Sequence, residues 1–403
     1  MLATVVGALA ATVEDVVIIG AGPNGLRLMS CLQNHGVSHT TFERYEIGST
    51  VARWYEGSLT HSPRDTLTIG GVTPVECSSC LDEIFQDDFA TVYANGGKPA
   101  KCELDHGHRN HCGRDDYMRY MKRAVAELKL RVVTGSRVSK VRRQSDGLLE
   151  VMTEDSTGTT KSTLARSVVL ASGASSTQRM LTLQSQDFAS RVSYGLALPD
   201  IYARKAVVVI GAGPSGLESA IRSVNYGASH VSLVVRAAVN ASRDQGMRYA
   251  FGLASSLPQH VNPYLGPAFQ RLRRFLEEGR LSVHYPSQVT RLTKAHAHLS
   301  TGEKVPADHV IAAVGYTSDE ALLQAMRFPN GRLNKATGET SISGVFNVGV
   351  SKVSPWKESQ GAPKGVAKSL GTNIEDSENE VKLVCKELVR RHAQKRRLLN
   401  QTA

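Results

Sequence analysis

Two glycine-rich segments carry the strongest chemical signal in the sequence. In the first, Gly20-Ala21-Gly22-Pro23-Asn24-Gly25 directly follows Asp15–Ile19, a short apolar run rich in β-branched residues. The apolar spacing after Gly25 then predicts a helix that ends near His35. A G-x-G-x-x-G between a buried strand and a helix makes a tight turn, admits a phosphate close to the backbone and directs the helix N-terminus at it. This segment therefore predicts a dinucleotide site.

An acidic residue at the end of the next apolar run refines this prediction. Glu43 follows Thr40–Phe42 and lies 23 residues after Gly20. A carboxylate at this position accepts hydrogen bonds from a ribose diol. The first site therefore favours a dinucleotide without a 2′-phosphate.

The same arrangement occurs a second time, with a different charge at its end. Gly211-Ala212-Gly213-Pro214-Ser215-Gly216 follows the apolar run Ala206–Ile210, and the next run, Val231–Val235, ends at Arg236. In the place where the first copy offers Glu43, the second offers a cation that can bind a 2′-phosphate. We therefore expect FAD in the first site and NADPH in the second, with hydride passing from the nicotinamide to the flavin.

Further segments resemble the flavin-containing monooxygenases, a class of flavoproteins with two dinucleotide-binding domains. The residues that carry the resemblance are Phe42-Glu43-Arg44 through Gly48 to Trp54, the segment Leu59–Arg64, the two crossovers Val168–Gly173 and Val310–Tyr316, and the strand Gly344–Gly349. Their order along the chain is that of the family.

The resemblance implies an α/β fold with two Rossmann-like dinucleotide-binding domains. An NADPH-binding domain (201–304) would be inserted into a discontinuous FAD-binding domain (1–200 and 305–403). The residues implied for FAD are Gly20, Gly22, Pro23, Asn24, Gly25, Glu43, Arg44, Arg53, Trp54, His61, Val138, Gly173 and Gly349. Those implied for NADPH are Gly211, Gly213, Ser215, Gly216 and Arg236.

The periodicity of the remaining chain predicts further elements of these domains. Amphipathic helices are expected at Asp115–Leu128 and Ala268–Glu278. Strands of an accessory sheet are expected at Arg131–Val141 and Leu148–Met152.

The activity implied by the resemblance is an NADPH- and O2-dependent oxygenation of a small metabolite at nitrogen or sulfur, or of the Baeyer–Villiger type, through a C4a-(hydro)peroxyflavin. The flavin supplies the reactive oxygen, so the sequence assigns no catalytic side chain. The hydroxylating members carry F-x-G-x-x-x-H before the second glycine motif, whereas no histidine lies between Met180 and Lys205. Two alternatives therefore stay open: a flavin reductase or oxidase, including a disulfide reductase using Cys77 and Cys80, and a non-catalytic flavin-binding protein.

The cysteines allow two further chemistries. Cys77-Ser78-Ser79-Cys80 has the C-x-x-C spacing of redox-active disulfides. The same pair, with Cys102 and with Cys112 or a nearby histidine (His106, His108 or His111), offers the thiolate and imidazole ligands of zinc. Because the spacing is irregular, we expect reduced cysteines and surface histidines here, with no metal.

Charge and hydropathy limit the partners of the protein. The 403 residues include 48 Lys+Arg and 37 Asp+Glu, a net charge of +11, and much of the excess lies in a predicted amphipathic helix over Lys382–Arg397. Its basic side is expected to face solvent and could contact an acidic partner. No aromatic residues alternate with the basic ones, which disfavours nucleic acid. No apolar run reaches the ~20 residues of a membrane span, and Met1–Val13 lacks the basic start of a signal peptide. The sequence predicts a cytoplasmic protein with a small-molecule substrate.

Overall fold

The computed structural model describes residues 13–55, 58–60, 62, 64–79, 111–173, 177–183, 189–196, 199–236, 265–317, 320–326, 334, 336–349 and 370–402. The strands are β1 (Val13–Ile19), β2 (His39–Phe42), β3 (Val132–Val133), β4 (Arg137–Arg143), β5 (Leu149–Glu154), β6 (Thr160–Leu170), β7 (Thr177–Gln178), β8 (Val192–Ser193), β9 (Ala206–Ile210), β10 (His230–Val234), β11 (Leu281–His284), β12 (Val289–Leu292), β13 (His296–Leu299), β14 (Lys304–Pro306), β15 (His309–Ala312), β16 (Tyr316–Thr317) and β17 (Val345–Asn347). The helices are α1 (Pro23–Asn34), α2 (Ser49–Ala52), α3 (Arg114–Glu127), α4 (Pro214–Asn225), α5 (Leu265–Glu277), α6 (Glu320–Ala325) and α7 (Leu370–Thr402). Short 3-10 turns occur at Arg64–Leu67, Ala189–Arg191 and Pro199–Ile201.

The first sheet has the strand order β3-β2-β1-β6-β5-β4, and β17 also pairs with β6. The strands β1, β2, β3 and β17 pair in parallel, whereas β4 and β5 form an antiparallel extension. The long strand β6 makes this possible, because its first half pairs with β5 and its last three residues pair with β17. One sheet thus contains both the dinucleotide fold and the accessory strands.

Helices cover one face of the first sheet. The apolar residues of α1 and α3 pack there with those of α7, which contributes Val381, Val384 and Leu388, all buried. On the opposite face, Val17, Ile19 and Phe42 form a core with apolar residues of β4 and β5, which Leu322 of α6 and the following Met326 join. The helix predicted over Lys382–Arg397 is therefore confirmed, and its apolar side closes the core.

The second sheet is entirely parallel, with the order β11-β10-β9-β15-β8. The helices α4 and α5 contribute to the core on one face, and the antiparallel sheet β12-β13-β14 packs against the other. Because β8 precedes residue 201 and β15 follows residue 304, this sheet extends beyond the segment 201–304 on both sides. Strands β7 and β16 pair next to the two chain crossings.

The predicted periodicities agree with these elements. Helices α3 and α5 lie within a few residues of the predicted Asp115–Leu128 and Ala268–Glu278. Strands β4 and β5 are the predicted accessory strands. The single strand predicted over Arg131–Val141 is wrong in its first part, because Val132–Val133 forms the separate strand β3, which pairs in parallel with β2. The fold class predicted from the sequence is confirmed by the mixed first sheet, the parallel second sheet and their covering helices.

Candidate functional site

The first glycine segment forms a tight turn that leads from β1 into α1. Gly20 has a φ of +108°, and a Cβ at Gly25 would lie 2.0 Å from the Gly20 carbonyl oxygen. Side chains are therefore excluded at both positions by the backbone itself. At Gly22 a Cβ would meet no atom within 4 Å, so its lack of a side chain leaves open space next to the first turn of α1.

Glu43 lies beside this turn, as its spacing from Gly20 requires. The strands β1 and β2 are in register at Ile19 and Phe42, which places Glu43 immediately after the edge of the sheet. Its carboxylate is 7% exposed and accepts hydrogen bonds from the Ala21 N–H (2.8 Å), the Tyr45 N–H (3.1 Å) and the Ser49 hydroxyl (3.1 Å). These donors orient the carboxylate on the wall of the site.

The second glycine segment repeats the geometry of the first. Gly211 has a φ of +106°, and a Cβ at Gly216 would lie 1.9 Å from the Gly211 carbonyl oxygen. The Gly211 N–H donates to the Val234 carbonyl (2.9 Å), just as the Gly20 N–H donates to the Phe42 carbonyl (2.9 Å). The same turn geometry therefore occurs at both glycine segments.

The register corrects one sequence-based equivalence. Ile210 pairs with Val234, so the residue that occupies the place of Glu43 is Val235, which is buried. Arg236 lies one position later, in the place of Arg44, and is exposed. The second turn therefore presents an apolar residue followed by a cation, with no carboxylate at this point.

Each chain crossover packs against one glycine turn. A Cβ at Gly20 would lie 2.7 Å from the Ala171 carbonyl oxygen, and one at Gly211 would lie 2.4 Å from that of Ala313. These are the segments predicted as crossovers. They bring the carboxyl ends of the two sheets to the same region of the molecule.

The loop after β17 reaches the first turn from another direction. The Gly349 N–H donates to Glu380 of α7 (2.7 Å), and a Cβ at Gly349 would lie 2.5 Å from the Asn24 side-chain nitrogen. The C-terminal helix therefore holds this loop against the glycine motif.

A cavity of about 500 Å³, which we call the shared cavity, lies between the two turns. Its lining includes predicted residues of both sites: Gly20, Gly22, Pro23, Asn24, Glu43, Arg44, Arg53, Trp54, Val138 and Gly173 from the first, and Gly213 and Ser215 from the second. The predicted residues Gly25, Gly211, Gly216, Arg236 and Gly349 are described but do not belong to the lining. His61 lies outside the described residues.

Several lining residues were not singled out from the sequence. Tyr55, Ser58, Tyr117, Tyr194 and Tyr316 all line the shared cavity. Tyr55 packs against the core of the second sheet, and the Arg222 guanidinium of α4 lies 5.5 Å from its ring centroid. Burial raises the pKa of Tyr316 and so favours its neutral phenol.

The cysteines differ from their prediction. Cys77 forms a disulfide with Cys112, because an isolated antiparallel bridge between Ser79 and His111 brings the two Cα atoms within 4.3 Å. The expectation of reduced cysteines is therefore wrong at these positions, and neither sulfur is a thiolate that could hold zinc.

The remaining members of the predicted zinc cluster divide into two groups. His111 is buried, with its Nδ1 2.9 Å from the Thr60 carbonyl oxygen, so the expectation of a surface histidine is wrong at this position. Cys80, Cys102, His106 and His108 lie outside the described residues.

A second disulfide was not foreseen. Cys31 of α1 is bonded to Cys385 of α7, 354 residues away. Neither described disulfide contributes to the lining of the shared cavity.

Some basic side chains of the C-terminal helix α7 form ion pairs within the protein. Arg391 pairs with Glu339 (2.6 Å) and Lys395 pairs with Asp15 of β1 (2.7 Å), which anchors α7 to the first sheet and to the segment before β17. Lys382 and Lys386 are exposed, in agreement with a solvent-facing basic side. In the described part of the chain, no helix is both long and apolar enough to cross a membrane.

Comparison with known proteins identifies a broad family to which the chain is similar. A family model described as pyridine nucleotide-disulphide oxidoreductase matches residues 17–349. No curated protein sequence matches the chain.

Three solved structures illustrate the range of similar proteins. Bacillithiol disulfide reductase Bdr (YpdA) from Bacillus cereus matches with a TM-score of 0.69 and 19% identity, over 94% of this chain and 100% of that one. A flavin-containing monooxygenase from Stenotrophomonas maltophilia matches with a TM-score of 0.58 and 16% identity, over 93% and 97%. DfoA bound to FAD, a cadaverine monooxygenase from Erwinia amylovora, matches with a TM-score of 0.59 and 15% identity, over 94% of each chain. At these identities the likeness establishes the fold that these proteins share.

Proposed function

Because the chain belongs to the pyridine nucleotide-disulphide oxidoreductase family, we propose that it is an NADPH-dependent FAD enzyme that uses O2 to oxygenate a small metabolite. The observation that carries this proposal is the shared cavity, which is lined by residues of both glycine turns. A cavity with this lining lets two dinucleotides approach each other from opposite sides, as hydride transfer between them requires.

The first turn fits FAD in three respects. Gly22 leaves open space where a pyrophosphate would approach the N-terminus of α1. Glu43 is held on the wall of the cavity, where its carboxylate can accept hydrogen bonds from the adenosine ribose. Arg53 and Arg44 also line the cavity and supply positive charge. Bound FAD would take a hydride from NADPH and supply the chemistry that activates oxygen.

The second turn fits NADPH better than NADH. The place of the ribose-binding carboxylate is taken by Val235, which makes no hydrogen bonds to a diol, and Arg236 is exposed next to it. An arginine can form bidentate hydrogen bonds with a 2′-phosphate. Gly213 and Ser215 at the start of α4 line the cavity on this side.

The residues that line the shared cavity favour reaction of the flavin with O2 over electron transfer through a protein dithiol. None of the described lining residues is a cysteine, and Cys77 and Cys112 are both fully buried. A dithiol that relays electrons has to meet both the cofactor and the substrate. The aromatic side chains of Trp54, Tyr55 and Tyr117 instead give the cavity walls that exclude water.

A second candidate function is a flavin reductase or oxidase that passes electrons to an external acceptor. The specific observation in its favour is the segment before α4, where Tyr194 and Gly195 line the cavity but the histidine of the hydroxylating flavoproteins is missing. The fold similarity to bacillithiol disulfide reductase is compatible with this activity.

The two functions are separated by the fate of oxygen. The FAD-loaded protein is reduced with NADPH without oxygen and then mixed with ¹⁸O-labelled O2, with and without a panel of amines, sulfides and ketones. Oxygen uptake and hydrogen peroxide are followed over time, and products are analysed by mass spectrometry. The monooxygenase proposal predicts that peroxide appears later than oxygen disappears and that a panel compound gains ¹⁸O.

Two results would contradict the proposal. Immediate release of one peroxide for each O2, with no labelled product, would favour the reductase or oxidase. Failure of NADPH to reduce the flavin would contradict both functions and leave a non-catalytic flavin-binding protein.

A further inference from the structure

Three buried hydroxyl groups on the wall of the shared cavity lack a hydrogen-bond partner within the described structure. One is the Tyr55 Oη, whose ring packs against the core of the second sheet, and the other two are the Ser58 Oγ and the Tyr117 Oη, which lie in or next to α3. Ser58 is 5% exposed and Tyr117 is 1% exposed, and both residues line the cavity. A buried hydroxyl without a partner destabilises the folded state, so its retention in a folded protein calls for an explanation.

Contacts around the start of α3 position the Ser58 and Tyr117 hydroxyls. The Arg114 N–H, at the start of α3, donates to the Ser58 carbonyl (3.0 Å), and the Tyr117 N–H donates to the Gly113 carbonyl (2.9 Å). Tyr117 packs against Trp54, with ring centroids 6.4 Å apart. The contacts of Trp54, Ser58 and the first turn of α3 therefore place both groups on the FAD side of the cavity.

Tyr120, in the same helix, is a useful comparison because its hydroxyl has hydrogen-bond partners. Tyr120 lies almost one turn after Tyr117, and the two rings stack with centroids 6.1 Å apart. The Tyr120 Oη lies 2.9 Å from the Val72 carbonyl oxygen and 3.1 Å from that of Leu67. Tyr120 does not belong to the cavity lining. The Tyr120 hydroxyl, away from the cavity, therefore has hydrogen-bond acceptors. The Tyr117 hydroxyl, on the cavity wall, has no hydrogen-bond partner within the described structure.

We propose that Ser58 and Tyr117 are FAD-contacting residues whose hydroxyls complete their hydrogen bonds only with the bound cofactor. FAD suits them because its ribityl hydroxyls and ring carbonyls both offer acceptors, and the ribityl hydroxyls also offer donors. Burial raises the pKa of Tyr117, so its phenol remains a donor throughout the physiological range. This inference rests on the proposed function, which places FAD in the shared cavity.

The test compares Tyr117→Phe with Tyr120→Phe, using Ser58→Ala as an independent variant. For each full-length protein, the thermal midpoint without cofactor and the dissociation constant for FAD are measured, the latter from the change in flavin fluorescence. Tyr117→Phe removes a hydroxyl with no partner in the protein, so the midpoint should stay the same or rise while FAD binds about 2- to 10-fold more weakly. Ser58→Ala should weaken FAD binding by a similar factor.

Tyr120→Phe should show the opposite pattern, because two buried carbonyls lose their neighbour. Its thermal midpoint without FAD should fall, and its FAD affinity should change by less than that of Tyr117→Phe. If Tyr117→Phe lowers the midpoint as much as Tyr120→Phe does, or if both cavity variants bind FAD as tightly as the parent, the inference is wrong. A loss of affinity for NADP⁺ alone would also overturn the assignment to FAD. If the parent protein binds no FAD at all, the proposed function itself fails.

Discussion

Substitution of Gly22 separates cofactor binding from folding more sharply than any other change in the first motif. Gly22 has a φ of −79° and a ψ of −178°, a conformation that any residue adopts, and a Cβ there would meet no protein atom within 4 Å. Gly22→Ala is therefore expected to fold, with a gain of about 0.4–1 kcal/mol because the unfolded chain loses freedom.

The added methyl group should nevertheless damage FAD binding. It occupies the space through which a pyrophosphate approaches the start of α1, and the loss of one charge-assisted hydrogen bond costs about 1.5–3 kcal/mol. That range corresponds to a roughly 10- to 150-fold weaker dissociation constant. Titration with FAD, followed by flavin fluorescence, measures the affinity, and thermal unfolding without FAD measures the fold.

Gly25→Ala is the matched control, since it lies in the same motif but meets the protein. Its Cβ would lie 2.0 Å from the Gly20 carbonyl oxygen, so the turn has to move and the protein without FAD should lose stability. If folded Gly22→Ala binds FAD within a factor of two of the parent protein, this region does not hold a pyrophosphate and the reasoning fails.

Three further predictions concern charge and covalent links. Arg236→Ala should lower the preference for NADPH over NADH by about tenfold or more, and an unchanged ratio of the two dissociation constants would remove the argument for a 2′-phosphate site. Cys385→Ser should lose about 2–4 kcal/mol in urea denaturation, because the bond to Cys31 closes a loop across 354 residues. A reducing agent should destabilise the parent, which has both described disulfides, more than the variant, which keeps Cys77–Cys112; equal losses in the two proteins would contradict this. The Arg390 guanidinium lowers the pKa of Glu387 from 4.5 to about 2, so the ion pair stabilises the protein above pH 4.5 and this contribution disappears as the pH falls towards 2. Glu387→Gln should therefore cost about 2 kcal/mol at pH 7 and reduce the loss of stability below pH 4.5, as measured by denaturation at several pH values; an equally steep acid transition in the variant would argue against it.

The parts of the fold that depend on local sequence were predictable. The apolar runs before Gly20 and Gly211 are buried strands, and each glycine motif opens a helix at the following proline. These features follow from hydrophobic periodicity and glycine stereochemistry, which act over a few residues.

The features that were missed depend on which segments meet in space. The end of the apolar run placed Arg236 opposite Glu43, whereas the strand register puts Val235 there. The reason is that the run Val231–Val235 extends one residue past β10, while the run Thr40–Phe42 ends with β2. The bond between Cys31 and Cys385 joins two helices from distant parts of the chain, and no spacing rule predicts it.

The candidate FAD contacts illustrate a further limit. Tyr117 lies on the buried side of an amphipathic helix, so the sequence gives it the same pattern as a core residue. Only the partners of its hydroxyl distinguish it from Tyr120. Hydrogen-bond satisfaction is a property of the packed structure, which periodicity does not report.

The most direct test of an NADPH-dependent flavoenzyme built around the shared cavity is an anaerobic titration of the FAD-loaded protein with NADPH. A cavity that joins both dinucleotide sites predicts that a stoichiometric amount of NADPH bleaches the absorbance of the oxidised flavin, and that NADH does so far less readily. A flavin that stays oxidised in the presence of excess NADPH would contradict the claim that the two sites face each other across this cavity.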